Sequence, residues 1–411
     1  MPGREEALAA FARGDEDAAA RLGAAAQEAP GDGALLIAEA TALLRAGAER
    51  PFHRIEGVLA RAPDWVEGHK ALCRLKVEAG DGQPFASLEA AIAKAPKHPK
   101  LWMVYLGLLG AAGRHSDAAR HARKLRREIA DLPQLRLLEA RHRGFAGEVV
   151  EAQRLLDDLP ADLPERDYEY ARNALRRNAP DDASAAIERQ LARDLSDIGA
   201  WALAELAWRA RGDARHDWLV PGDSLMVQCQ LGLSEADLAQ LASTLRALHT
   251  AHATPLRQSV EGSTQTHGDL RQRREPAIAA LFEAIGEALR HYAASLPDIA
   301  ADHPMHAIRE NTPCITASWS IRLTAGGRHV PHLHDGGRVS SAAHIAVPTA
   351  LAEAEGALEL GRPPEDIPLA LEPLARFAAK PGHLVLFPSF VYHATSPFAA
   401  GERLSVAFDA V

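Results

Sequence analysis

Through roughly the first 215 positions, apolar residues return every three or four places, which is the spacing of a helix that buries one face. Alanine, leucine, arginine and glutamate fill these runs, and prolines or Gly-Asp pairs interrupt them. In "LWMVYLGLLGAAGRHSDAARHARKL" (101–125) the pattern predicts one helix ending at Gly113 and another beginning near Asp117. After about residue 216 the pattern changes. Two amphipathic helices are predicted at 234–252 and 276–296, and then a period of two takes over. In 314–324, Ile315, Ala317, Trp319, Ile321 and Leu323 fall on one face, with Thr316, Ser318, Ser320 and Arg322 on the other. Further strands are predicted at 338–347, 383–389, 390–396 and 402–411. Short strands with turn signals between them predict an antiparallel double sheet or barrel carrying a few flanking helices.

The interruptions in the first half are themselves periodic. Pro30, Pro63 and Pro96 stand 33 residues apart, with looser echoes at Pro133, Pro164 and near Leu195. A period of that length holding two helices is the mark of a solenoid, whose units bury their apolar faces only by stacking. The segment "AWALAELAWRARGD" (200–213) resembles the first helix of a tetratricopeptide repeat with its Gly-Asp turn. The expected fold class is therefore multidomain α and β: an all-α repeat domain over 1–215, then a β-domain over 216–411. A solenoid of this kind implies a concave surface for a peptide or protein segment.

Composition narrows the functional classes. Hydrophobic residues make up 47% and charged residues 25%, as in a water-soluble globular chain. A net charge of -9 argues against a general nucleic-acid binder, which needs a basic footprint. No apolar run is long enough to cross a bilayer. The first residues carry acids where a secretion signal needs bases, so a cytoplasmic location is expected. Three widely spaced cysteines (Cys73, Cys229, Cys314) fit a reducing compartment and form no zinc-binding pattern.

Chemistry concentrates in "GGRHVPHLHDGGRVSSAAHIAVP" (326–348). In an extended chain His332 and His334, two positions apart, point the same way, as neighbouring ligands of one metal must. A third ligand would come from a distant strand, and His393 in "FPSFVYHATSPF" offers it. Ten residues on, Arg403 and Ser405 share a strand face; a guanidinium beside a hydroxyl suits the carboxylate of a dicarboxylic co-substrate. His329 and His344 read most simply as non-functional surface or satisfied core histidines of the β-domain, and His303, His306 and His383 as surface or turn residues. Trp319 and Arg322 lie on opposite faces of one strand, so at most one faces a pocket there.

These motifs resemble the Fe(II)- and 2-oxoglutarate-dependent oxygenases with a double-stranded β-helix (jelly-roll) core, and more closely the bacterial ones fused to tetratricopeptide repeats. The elements that carry the resemblance are "RQSVEGSTQTHG" (257–268), "HLHDGGRVSS" (332–341) and "FPSFVYHATSPFAAGERLSVAFD" (387–409). It implies Fe(II) on His332, His334 and His393, 2-oxoglutarate on Arg403 and Ser405, O2 as oxidant, and Gln258 and Thr264 turned toward the ligand. Two departures stand out: Asp335 where the family has Pro, and Arg338 where it has Trp. Asp335 is thus an alternative to His334 as third ligand. The implied activity is hydroxylation of a peptide or protein segment chosen by the repeats. Alternatives are the same chemistry on a small molecule, with the repeats as scaffold or homodimer contact, and an inactive adaptor that only binds ligand.

Overall fold

The computed structural model describes residues 2–250, 260–349, 351–352 and 355–411. Helices form the first half, in pairs. The first helix of each pair ends on a left-handed residue: Gly14, Gly47, Gly80, Gly113, Gly147, Asn178 and Gly212, with φ between 55° and 81°. One residue further on, an amide bonds back to a carbonyl in the helix's last turn, as Asp15 to Ala10 at 2.9 Å, Arg114 to Leu109 at 2.8 Å and Asp213 to Trp208 at 2.9 Å. This closure needs a positive φ, which glycine adopts freely and asparagine tolerates. Seven such closures make the sequence period visible as structure. The pair predicted over 101–125 runs as Pro99–Ala111 and His115–Glu128. Cores are local to neighbouring helices: Leu22, Leu35 and Leu36 form one, Ile55, Leu59 and Leu72 another, Leu137, Leu156 and Leu163 a third.

The second half contains β1 (Val227–Gln230), β2 (Val260–Gln265), β3 (Ile315–His329), β4 (Val339–Ala346), β5 (Leu358–Leu360), β6 (Ala375–Phe377), β7 (His383–Pro388), β8 (His393–Thr395) and β9 (Glu402–Ala410). They form a six-stranded sheet in the order β1-β7-β4-β9-β3-β2 and a three-stranded sheet in the order β6-β5-β8. The pairs β1–β7, β3–β9, β4–β7, β4–β9, β5–β6 and β5–β8 are antiparallel. This is the expected double sheet with its helices, Glu235–Leu248 and Pro276–Ser295. No helix among the described residues is long and apolar enough to cross a membrane.

Two features differ from the pattern read along the chain. Ser318 and Ser320, assigned to a polar face, are buried at 2% and 0% exposure, and Ser320 donates to the Ser405 carbonyl at 3.1 Å. A small hydroxyl that finds a backbone acceptor can be buried without loss. Packing also divides the chain elsewhere than at 215/216. One compact unit holds residues up to 114 with segments of 244–279, and the other holds 115–243 and 280–411 with a short piece near 260. A solenoid binds only neighbour to neighbour, so its later repeats can pack as one body with the sheets.

That second unit contains a buried ionic cluster. From the helix Arg166–Arg176, Arg172 grips Asp366 with two nitrogens at 2.8 and 3.1 Å, and a third lies 3.2 Å from the Tyr392 hydroxyl. Arg176 reaches the same carboxylate at 2.9 Å. Burial pushes Asp366 up, but the two guanidinium groups together hold its carboxyl below the usual range. The cluster ends one residue before His393.

Candidate metal centre and anion pocket

β3 ends at His329, and the chain then crosses to β8: His332 and His393 exchange backbone hydrogen bonds at 2.9 and 3.1 Å. His334 follows in the connection to β4. The ring nitrogens of His332, His334 and His393 offer donor atoms all within 4.8 Å of one another. Each imidazole is also held from behind. Nδ1 of His332 lies 2.8 Å from the Val330 carbonyl, Nδ1 of His334 2.8 Å from Oδ1 of Asp409, and Nδ1 of His393 3.4 Å from the Val391 carbonyl. The two carbonyls and the Asp409 carboxylate accept, so each Nδ1 donates to them and each Nε2 is turned away from these bonds; the Ser340 hydroxyl also lies 3.4 Å from Nδ1 of His334. Burial, and then the neighbouring His334, push His332 down to about 3; burial also pushes His393 well below its ordinary value. Three imidazoles whose Nε2 atoms are left to bind suit a divalent transition metal, Fe(II) included, and such a set leaves coordination positions open.

Asp335 is exposed and stands outside this group. The carboxylate that meets the cluster is Asp409, 7% exposed, which also accepts from Ser340 at 3.1 Å; Ser340 in turn meets Ser389 at 2.9 Å. Trp319 sets its ring edge-on to His334 with centroids 5.2 Å apart, whereas Arg322 pairs with Glu402. Trp319 is thus the one that faces the site. His329, set aside in the sequence, stacks on His332 at 5.4 Å and 16°.

Arg403 is 2% exposed and Ser405 5%. They lie on β9 two residues apart, opposite Leu323 and Ile321 of β3. Arg403 donates to the Gly356 carbonyl at 2.8 Å and to Nδ1 of His344 at 3.3 Å, and its Nε has no partner. Among the described residues no carboxylate pairs with it. Burial alone pulls the guanidinium down to about 10. Its charge also helps depress His329, after burial and His332, so it lies within electrostatic reach of the histidine group. A buried cation without a paired anion is costly to fold, and an anion at this position would offset that cost.

Thr264 falls in the other compact unit, where its hydroxyl lies 2.9 Å from Nδ1 of His249. Gln258 lies outside the described residues. His303 is buried with both nitrogens bonded, to the Leu219 carbonyl and from the Met305 amide, each at 3.0 Å. His306 meets the Ile299 carbonyl at 3.2 Å. Asp409 and Trp319 were both inside quoted motifs, at the end of "SVAFD" and in the first β-run, but nothing local in the sequence shows that they touch His334.

Residues 317–409, which enclose His332, His334, His393, Arg403, Ser405 and Asp409, match the family model described as "Putative 2OG-Fe(II) oxygenase". This C-terminal region is of the 2OG-Fe(II) oxygenase family. No curated protein matches the chain. Among solved structures the chain is similar to a Pseudomonas putida prolyl-4-hydroxylase, at 18% identity over 45% of this chain and 92% of that chain, TM-score 0.31. It is also similar to a viral collagen prolyl hydroxylase from Paramecium Bursaria Chlorella virus-1, at 13% identity over 45% and 95%, TM-score 0.31. A tetratricopeptide repeat protein from Parabacteroides merdae is similar at 18% identity over 53% and 89%, TM-score 0.36.

Proposed function

We propose that the chain is an Fe(II)- and 2-oxoglutarate-dependent hydroxylase acting on a peptide or protein segment held by its repeats. One observation carries this. Three imidazoles fixed from behind bring donor nitrogens within 4.8 Å of one another, in the same β-domain as a buried guanidinium that pairs with no carboxylate among the described residues. His332, His334 and His393 would hold the metal, and Arg403 with Ser405 the distal carboxylate of the co-substrate. Three neutral ligands leave the metal's charge uncompensated, which favours an anionic chelator in the open positions. Bound there, Fe(II) supplies the redox chemistry: activation of O2 at the expense of the 2-oxo acid, which leaves as succinate and CO2. The protein's residues bind and orient. Asp409 fixes the tautomer of His334, Trp319 and Phe387 wall the histidines with apolar surface, and Arg403 selects an acid with a second carboxylate. The co-substrate contacts assigned are Arg403 and Ser405; Thr264 and Gln258 rest on the resemblance of their motif alone.

Support for a peptide substrate comes from the repeats. Between the helices Val66–Glu78 and Pro99–Ala111 lies a groove of about 260 Å³, lined by Lys70, Arg74, Met103, Val104 and Leu108, with Met103 46% exposed. An apolar floor with two cations at its rim fits an extended segment that carries an acidic group.

The test is succinate formation from 2-oxoglutarate by the full chain prepared anaerobically with Fe(II), with and without candidate peptides, alongside His393→Ala and Arg403→Ala. Expected are iron-dependent succinate from the native chain, none from His393→Ala, and a large rise in apparent KM for 2-oxoglutarate with Arg403→Ala. Peptides that raise turnover should gain one oxygen atom by mass. Equal turnover by all three proteins would overturn the assignment, and stimulation only by small molecules would move the substrate class.

A further inference from the structure

His344 sits on β4 with no exposed surface, opposite Ser405 of β9 and His383 of β7. Among the described residues it is the one histidine with a ring nitrogen that is fully buried and has no hydrogen-bond partner. His69 bonds through both nitrogens, to the Pro63 carbonyl at 3.1 Å and to Ser87 at 3.0 Å, and His303 does likewise. His344 has a partner on one side only: the Arg403 guanidinium, 3.3 Å from Nδ1. A guanidinium can only donate, so Nδ1 must accept and the proton must sit on Nε2. Burial, and then the charge of Arg403, keep the ring neutral. The Nε2–H that results is buried with no acceptor among the described residues, and the Arg403 Nε–H has none either.

Two unmatched buried donors on a hydrogen-bonded pair that carries a positive charge have one economical explanation. A carboxylate brings two oxygens and the missing charge, whereas a neutral acceptor would leave the guanidinium unpaired. Arg403, Ser405 and the cross-strand His344 share a region of one sheet face, because Arg403 and Ser405 are two residues apart on β9.

We infer that His344 is a co-substrate-binding residue: it accepts from Arg403 through Nδ1 and donates Nε2–H to the distal carboxylate of the 2-oxo acid, so that it helps select a dicarboxylate over a monocarboxylate. This rests on the oxygenase reading above and adds a contact to it. His344 also fixes the rotation of Arg403, which otherwise is anchored only by the Gly356 carbonyl.

The experiment is calorimetric binding to the full chain loaded with Zn(II) in place of Fe(II), using 2-oxoglutarate and 2-oxobutyrate, which keeps the 2-oxo acid end but lacks the distal carboxylate. His344→Asn keeps an acceptor near the Nδ1 position and loses the Nε2 donor; His344→Gln places an amide N–H near Nε2. Thermal unfolding and zinc content verify that each variant is folded and loaded. Expected is a loss of about tenfold or more in 2-oxoglutarate affinity for His344→Asn, a smaller loss for His344→Gln, and no change toward 2-oxobutyrate for either. Native affinity in His344→Asn, or equal losses for both acids, would overturn the inference while leaving the oxygenase reading intact. Failure of the native chain to bind 2-oxoglutarate would remove both.

Discussion

Arg403→Met tests the central electrostatic claim, because the two properties it should change move in opposite directions. Burial pulls the Arg403 guanidinium from its ordinary value down to about 10. At about 1.4 kcal/mol per factor of ten, the folded state carries about 3 kcal/mol against the charge at neutral pH. The sign is plain: the folded value is the lower one, so folding disfavours the protonated form wherever arginine is protonated, which includes all of the physiological range. Methionine removes that term and fills similar volume. It also forfeits the hydrogen bonds to the Gly356 carbonyl and to His344, each worth about 1 kcal/mol. The balance is about 1 kcal/mol in favour of the variant. Thermal unfolding of the ligand-free protein should therefore show a midpoint unchanged or raised by about 1–3 °C. Added 2-oxoglutarate at about 100 times its Kd should stabilise the native chain by about 2.7 kcal/mol and Arg403→Met not at all. A large fall in the ligand-free midpoint, together with undiminished stabilisation by 2-oxoglutarate, would show that the guanidinium is a structural strut and not an anion receptor.

Asp409→Ala should weaken metal binding by about 10–100-fold, read by competition with a chromogenic chelator, because His334 loses the acceptor at 2.8 Å that fixes its ring; unaltered affinity would demote Asp409 to a packing residue. Arg172→Met should destabilise the second unit by about 3–5 kcal/mol in denaturant titration, since it leaves Asp366 with one guanidinium and the Tyr392 hydroxyl without its donor. His142 is 5% exposed, and burial, then His115 and Arg141, hold it down to about 4 from 6.5. Between those values the unfolded chain takes up a proton that the folded one refuses, so stability should fall as pH drops from about 6.5 toward about 4, by on the order of 2 kcal/mol from this group. His142→Leu should flatten that slope in thermal scans at about pH 7.5 and about pH 5, and an unchanged slope would place the acid sensitivity elsewhere.

Much of the architecture was legible because it is set over short distances along the chain. The 33-residue period reappears as left-handed closures at Gly14, Gly47, Gly80 and Gly113, since a helix end is governed by the few residues that form it. The strands at 338–347, 383–389 and 402–411 were found within a residue or two, as Val339–Ala346, His383–Pro388 and Glu402–Ala410. The three-residue strands β5 and β6 went unseen: "LEL" and "ARF" are too short to show a period, and only pairing with β8 and with each other makes them strands. The histidines now assigned to the metal, His332, His334 and His393, were nameable from type and spacing together with the resemblance of their motifs.

The sequence by itself determined the helix-pair repeat, the change to alternating strands, and a short inventory of chemical groups, because each of these follows from neighbours along the backbone. Tertiary structure alone decided which groups meet. It set Asp409 rather than Asp335 against the histidines, turned Trp319 inward and Arg322 to Glu402, placed His344 on Arg403 across two strands, and tied Arg172 to the residue before His393. The physical reason is that burial and pairing energies depend on what the fold brings within a few ångströms. A charge such as Arg403 has an ordinary pKa in the unfolded chain, and its pKa falls only when strands distant in sequence remove its water.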